Sequence, residues 1–381
     1  MRILFFTGGG RATVHALLPL ASSCRTEGHE VIVATPQEDL AAVTEHGLPA
    51  FAMSEMGVFK AMFWDREGNK LDRPRGEAAE CEFASRGFAR MAADSFDAVA
   101  DLADHWRPDL VVGGTRNYGA ALIAHHAKVP YVCQAWDALE RDPGDLEFVT
   151  DELRPELERL GLDAFPREDL YLHITPASLR PEGAEPAQYM RWTPGSTQLP
   201  LEPWVYRRPE RKRVLVTSGS RAAMIDTLGT DFFRPVIENP VFQDVELLIA
   251  TQEPVAEKLR AQWPGIRAGY VPLDTVIPSC DLLVHHGGGQ TCMYAAAAGV
   301  PQLVFPDMLA SAIPMRRFDA YGASITLNLV EPPERIEEAG RKLLDDPSYR
   351  ERAGALAAEI AALPTTSQIV RKLEDLVASA R

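Results

Sequence analysis

Val284-His285-His286-Gly287-Gly288-Gly289-Gln290-Thr291 is the stretch on which the reading of this chain turns. The apolar run Asp281–Val284 reads as a buried strand, and three glycines follow it. A run of alanines then reads as a helix from about Thr291, stopped by Gly299 and Pro301. Strand, glycine turn and helix make the repeating unit of a parallel α/β sheet. The same unit is an anion site. Glycines let backbone N–H groups come close, and the helix dipole favours negative charge there. His286, at the strand end, adds a donor aimed at the same anion. The plainer alternative is a glycine-rich turn with two incidental histidines.

Outward from this stretch, short apolar runs alternate with helical patterns. Candidate strands are Arg2–Phe6, Glu30–Ala34, Asp109–Gly113, Pro130–Cys133, Arg213–Thr217, Glu246–Ala250, Gln302–Phe305 and Ser324–Leu327. Several are almost wholly apolar, as strands covered on both faces are. Arg2-Ile3-Leu4-Phe5-Phe6-Thr7-Gly8 echoes Arg213-Val214-Leu215-Val216-Thr217-Ser218-Gly219, so each half begins with a strand and a small-residue turn. Ser218-Gly219-Ser220-Arg221 adds hydroxyls that hold phosphate. Trp192–Lys212, with Pro194, Pro200, Pro203 and Pro209, reads as a linker. The expected organisation is a domain over residues 1–200, a second over 213–363, and a helix over 364–381 returning to the first. Pro364 breaks the preceding helix, Thr365 or Thr366 caps the last one, and Ile369, Leu373, Leu376 and Val377 give it an apolar stripe. Ligands of two such domains are expected in a cleft at the carboxyl ends of both sheets.

The first turn, Gly8-Gly9-Gly10-Arg11-Ala12-Thr13, falls short of a dinucleotide fingerprint. Thr13 takes the last glycine or alanine place, and the second strand ends at Ala34-Thr35 without an acid for a ribose. Thr13 reads either as a cleft residue or as the N-cap of a helix from Val14. His15 reads either as a cleft residue or as a partly exposed first-turn residue. Met53–Met91 is rich in Met and aromatic residues without clear period, Met56, Phe59, Phe63 and Trp64 among them. It is either a loosely packed excursion or an adaptable wall for a large apolar ligand.

Composition narrows the classes. Of 381 residues, 46% are hydrophobic and 24% charged, which excludes disorder, and the net charge of −15 disfavours nucleic acid. No apolar run approaches the roughly 18 residues of a membrane helix, and a cytoplasmic protein is expected. The five cysteines are scattered without a CxxC pair, and no Asp-x-Asp pair or His/Cys cluster points to a metal. The oligomeric state is left open, a homodimer included.

The sequence resembles the GT-B glycosyltransferases of family 1, and within them the bacterial antibiotic (macrolide and enediyne) glycosyltransferases. Three segments carry the resemblance: Leu17-Leu18-Pro19-Leu20-Ala21 through Gly28-His29-Glu30-Val31; Trp106-Arg107-Pro108-Asp109-Leu110-Val111-Val112; and Val271-Pro272-Leu273 through His285-His286-Gly287-Gly288 to Ala298-Gly299-Val300-Pro301-Gln302-Leu303. Asn117-Tyr118-Gly119-Ala120 looks like the enediyne (calicheamicin-type) members. The resemblance implies two Rossmann-like domains, an aglycone bound by the first and a thymidine diphosphate deoxysugar by the second. It implies metal-free transfer with inversion at the anomeric carbon. Carried over, Tyr270 lies against the donor base and Val271 bonds it through the backbone. His286, Gly288, Gly289, Gln290 and Thr291 surround the diphosphate opposite Ser218, Gly219 and Ser220. Ala310 and Ser311 lie by the sugar, and Asn117 and Trp136 lie on the acceptor side.

The departures concern catalysis. Thr13 stands where the family often has its catalytic histidine, which leaves Thr13 and His15 as catalytic candidates beside His286. Gly113-Gly114 stands where the orienting acid usually sits. Gln290 replaces a usual glycine. Asp307-Met308-Leu309-Ala310-Ser311 replaces the Gln-x-x-Asp-Gln that binds sugar hydroxyls, which suits a sugar with few of them. A nucleotide-sugar epimerase of similar shape and a non-catalytic ligand-binding protein are the competing readings.

Overall fold

A computed structural model describes residues 1–142, 144–198, 200–207, 210–219, 229–307, 309–328 and 330–380. It folds as two compact units. One holds Met1–Thr175, Glu182–Gly195 and the chain from Leu363 onward; the other holds Pro176–Pro181 and Ser196–Ala362.

The first unit is built on seven parallel strands. They are β1 (Arg2–Phe6), β2 (Glu30–Pro36), β3 (Ala50–Ser54), β4 (Leu110–Gly114), β5 (Tyr131–Gln134), β6 (Leu170–His173) and β7 (Gln188–Tyr189), in the order β3-β2-β1-β4-β5-β6-β7. Ile3, Leu4 and Phe5 of β1 are fully buried, as the unbroken apolar run predicts. The last helix, Thr366–Ala380, packs against Arg11–Thr26 through Ile369, Val370, Leu373 and Val377, while Leu376 stays half-buried. Its start is a reciprocal cap: the Gln368 N–H donates to Thr365 Oγ1, and the Thr365 N–H donates to Gln368 Oε1.

The second unit has six parallel strands. They are β8 (Arg213–Thr217), β9 (Glu246–Ala250), β10 (Arg267–Gly269), β11 (Leu282–His285), β12 (Gln302–Val304) and β13 (Ser324–Thr326), in the order β10-β9-β8-β11-β12-β13. Its core gathers Val214, Val216, Phe232, Phe233, Ile249, Val284 and Phe305.

Four strands have no counterpart in the sequence reading: β3, β6, β7 and β10. β7 and β10 are two and three residues long, and β3 is only partly buried. β6 is four residues, pressed between charged Arg167–Asp169 and a proline. β3, β7 and β10 stand at sheet edges and β6 is paired on both sides, so these segments take their state from the strands beside them rather than from a pattern of their own.

In both sheets the strand order reverses once, between β1 and β4 and between β8 and β11. Doubly wound sheets bind ligands at the carboxyl ends of such switch points. The two glycine turns singled out by sequence stand there.

Candidate functional site

At the switch point of the second unit, β8 runs into Ser218-Gly219 and β11 into His286-Gly287-Gly288. The following helix spans Gly289–Ala298 and starts two residues ahead of the expected Thr291, with Gly288 as N-cap and no side-chain cap. A helix start of this kind turns backbone N–H groups and the positive end of its dipole toward an anion. Gly299 closes it in the left-handed conformation, φ 68°.

His286 is gripped by the two turns. A Cβ on Gly219 would stand 2.4 Å from His286 Cε1, and one on Gly288 would stand 2.6 Å from its Nε2. Only hydrogen fits on either side of the ring. His285 has a different task. Its Nδ1 accepts the Gly287 N–H at 3.2 Å, so Nε2 carries the proton and donates to Gln302 Oε1 at 2.9 Å. Burial, then the neighbouring His286, pushes its pKa down to about 3. His285 is thus a neutral brace for the turn.

The other donor candidates fall around this ring in part. Thr291 is buried in the first turn of the helix and Gln290 is half-buried beside it. Ser311, whose hydroxyl donates to Asp307 Oδ1 at 3.3 Å, closes on Gly287: a Cβ built there would meet Ser311 Cβ at 3.3 Å. Ala310 belongs to the same first turn of the Leu309–Tyr321 helix. Ser220 lies outside the described residues. Tyr270 and Val271 follow β10, three strands from β11, or about 14 Å at the usual strand spacing. Tyr270 is half exposed and donates its hydroxyl to the Thr197 carbonyl, while Val271 is buried.

At the switch point of the first unit, Gly8, Gly9 and Gly10 take φ of 157°, 100° and 98°. The last two lie where side chains are strained. The helix begins at Arg11 with Gly10 as N-cap, which corrects the expectation that Thr13 caps a helix from Val14. The Thr13 hydroxyl is shared between the Gly8 and Gly10 carbonyls, 2.7 Å from each, so it ties the turn together. Asp39, just past β2, sits buried at the same helix start. Its carboxylate takes the Gly10 N–H, yet burial, then Glu38, raises its pKa to about 6. Sequence reading passed over Asp39 by ending the strand two residues early.

His15 packs against His46, ring centroids 5.2 Å apart, and its Nε2 is buried without a hydrogen-bond partner among the described residues. Burial, then His46, lowers its pKa to about 4. Such a group is a weak base at neutral pH. The place of the orienting acid is filled as well. A Cβ on Gly113 would meet Ala120 Cβ at 2.4 Å, and one on Gly114 would meet Asn117 Oδ1 at 2.6 Å and Trp136 at 2.8 Å. Asn117, expected on the acceptor side, is buried with its amide committed. It donates to the Gly8 carbonyl at 3.3 Å and accepts the Gly114 N–H at 3.0 Å, so it braces both turns.

The segment Met53–Met91 is ordered into a short helix, Val58–Phe63, and the start of a 30-residue helix, Glu77–Trp106. Met53, Phe88 and Met91 close on the glycine turn, and buried Trp136 lies tilted against Phe88, ring centroids 5.4 Å apart. Phe59, 50% exposed, stands 4.8 Å from Phe63 and 6.0 Å from Trp64, and Met56 lies half-buried before them. Two arginines that sequence reading missed fasten this wall. Buried Arg90 donates to the Ala61 and Met62 carbonyls and pairs with Glu152, while Arg66 grips Glu156 with both terminal nitrogens at 2.6 and 3.1 Å. Their acids lie more than sixty residues away, so no local pattern could have shown the pairing.

Among the described residues no group of three or more His, Cys, Asp or Glu is placed to hold a metal ion. No described helix is long and apolar enough to cross a membrane.

Residues 22–219 and 234–376 match the N-terminal and C-terminal domains of the erythromycin biosynthesis protein CIII-like family. The chain is 30% identical to an L-demethylnoviosyl transferase of Streptomyces niveus, over 98% of this chain and 97% of that one. It is 26% identical to the 3-alpha-mycarosylerythronolide B desosaminyl transferase of Saccharopolyspora erythraea, covering 100% and 99%. Among solved structures, the Streptomyces sp. SF2575 glycosyltransferase SsfS6 complexed with thymidine diphosphate superposes with a TM-score of 0.84 at 30% identity, covering 98% and 99%. The glycosyltransferase SnogD of Streptomyces nogalater gives 0.81 at 28% identity, covering 99% of each chain.

Proposed function

The chain belongs to the erythromycin biosynthesis protein CIII-like family, and on that premise we propose that it transfers a deoxysugar from a thymidine diphosphate donor to an antibiotic aglycone. It is a glycosyltransferase of the GT-B fold. The observation that carries the mechanism is His286, held between Gly219 and Gly288 at an uncapped helix start. In the proposed reaction an acceptor oxygen attacks the anomeric carbon as the carbon–oxygen bond to the diphosphate breaks, inverting that centre. The helix N–H groups and His286 receive the departing charge. The second unit holds the donor, with Tyr270 and Val271 at its base, and Ser311 and Ala310 by a sugar of few hydroxyls.

The first unit takes the acceptor against Met56, Phe59, Phe63 and Trp64. With the space at Gly113 and Gly114 filled and His15 buried and weakly basic, the described residues offer no dyad there to remove a proton. The acceptor therefore supplies an easily ionised oxygen, a phenol or a hydroxylamine, and the enzyme supplies position. Such an oxygen, together with the Asn117-Tyr118-Gly119-Ala120 resemblance, favours a polyketide acceptor of enediyne type. No divalent ion takes part.

The test is turnover of thymidine diphosphate deoxysugars with a panel of polyketide and enediyne aglycones, with and without a chelator, products read by mass. Glycosylated aglycone with inverted stereochemistry is expected in both conditions. A donor left intact with every aglycone sinks the reading, and activity that disappears with the chelator and returns with a divalent ion sinks its metal-free part.

A further inference from the structure

Between the base end at Tyr270 and the diphosphate end at His286 the second sheet presents two more strands, β9 and β8. They run in register to their last pair, Thr217 opposite Ala250. The next residues, Ser218 and Thr251, therefore leave the sheet side by side at its ligand-binding end. Both are hydroxyl residues, and both are buried, at 0% and 8% exposure. Among the described residues, neither Oγ has a hydrogen-bond partner. A buried hydroxyl without a partner weakens a fold. Polar atoms left so at the carboxyl end of a doubly wound sheet, one strand from its switch point, face the ligand bound there.

What lies between the base and the diphosphate of a nucleotide is its pentose. We propose that Thr251 Oγ1, beside Ser218 Oγ, is a binding group for the pentose of the donor nucleotide. The proposal rests on the reading of the second unit as a nucleoside diphosphate site. The Thr251 hydroxyl donates to and accepts from the pentose oxygens, and what its burial costs the empty protein is recovered on binding.

Thr251→Val keeps the shape and removes only the hydroxyl. Binding of thymidine diphosphate and of inorganic pyrophosphate is measured by calorimetry for wild type and T251V, with the melting temperature of each taken free of ligand. T251V should bind thymidine diphosphate about tenfold more weakly. It should bind pyrophosphate as the wild type does, and melt no lower when empty. Thr251→Ser should bind thymidine diphosphate as the wild type does. Equal affinity of T251V and wild type for thymidine diphosphate overturns the proposal. So does an equal loss for pyrophosphate, which would move the contact to phosphate, or a lower melting temperature, which would give the hydroxyl a structural partner. A wild-type protein that binds no thymidine diphosphate overturns the donor reading itself and this proposal with it.

Discussion

His285 and His286 are neighbours in sequence with opposite tasks. His285 is wholly buried and spends both ring nitrogens on the protein, whereas His286 is wedged between two glycines where a ligand's charge would lie. His286→Ala should slow transfer by about 10–1000-fold and weaken donor binding. Gly219→Ala should do comparable damage, because its Cβ would stand 2.4 Å from His286 Cε1 at a residue with φ of 74°. Steady-state kinetics with a fixed acceptor reads both, and unchanged rates in H286A would remove the ring from the site.

His15 gives a second prediction at this scale. Its folded pKa, about 4, lies below the unfolded 6.5, so the unfolded chain takes up a proton in that window that the folded chain refuses. Its contribution to stability is whole above pH 6.5 and is lost as pH falls to 4, roughly 3 kcal/mol at about 1.4 kcal/mol per pH unit. Asp39 works in the other direction. Folding raises its pKa from 3.8 to about 6, so stability from this residue grows as pH falls through that range. The two offset one another between pH 4 and 6. His15→Phe should therefore gain stability on the wild type as pH falls from 6.5 to 4, read from urea midpoints at several pH values. The same variant should leave the rate profile near neutral pH unaltered. A variant that repeats the wild-type acid limb, or loses a titration near pH 7, shows that His15 is not the buried neutral group described.

At the scale of elements, the wall of the first unit is a short helix pinned by charge. Arg90 is almost fully buried, and Glu152 beside it is 13% exposed at its side chain. Removing one member of a buried pair costs about 3–5 kcal/mol, because the other is left without its counter-charge. Arg90→Ala should loosen Val58–Phe63 from the Glu77–Trp106 helix and raise the KM for acceptor about tenfold, by the logic that small misplacements weaken positioning. Affinity for thymidine diphosphate, which the proposed function assigns to the other unit, should not change. Equal losses for both ligands would place the wall's influence elsewhere. The sequence showed the apolar content of this wall but left its order open, since Met and aromatic residues without a period fit a loop as well as a helix.

For the whole molecule, the division into units does not follow the chain. The last helix belongs to the first unit, and Pro176–Pro181 belongs to the second. Deleting residues 364–381 would uncover Ile369, Val370, Leu373 and Val377 and the face of Arg11–Thr26 they cover. At about 1.5–3 kcal/mol each, these side chains contribute roughly 6–12 kcal/mol, the scale of a domain's whole stability. Hydrogen exchange on the truncated protein should show amides of β1 and β2 losing protection while those of β8 and β11 keep theirs. Uniform protection in both sheets would mean that the helix is dispensable.

What this sequence determined by itself is local. Unbroken apolar runs such as Ile3–Phe6 and Val214–Val216, each followed by a small-residue turn, read as strands covered on both faces. Glycines at 8–10 and at 287 and 288 mark turns in which a side chain would clash or strain, and Gly299 stops a helix because its backbone is left-handed. Those signals require no partner, so they were legible, and with the order of the segments they gave two doubly wound sheets. What only the tertiary structure decided is who meets whom. Thr13 was free to be a cap or a cleft residue until the turn placed both carbonyls at its hydroxyl. His15 became a poor base only when His46 and burial surrounded it. Arg90 found Glu152, and Ser218 found Thr251, across distances along the chain that no spacing encodes. Hydrogen bonds, charge pairs and pKa shifts depend on neighbours in space, and the strand order of each sheet, which propensity does not fix, chose those neighbours.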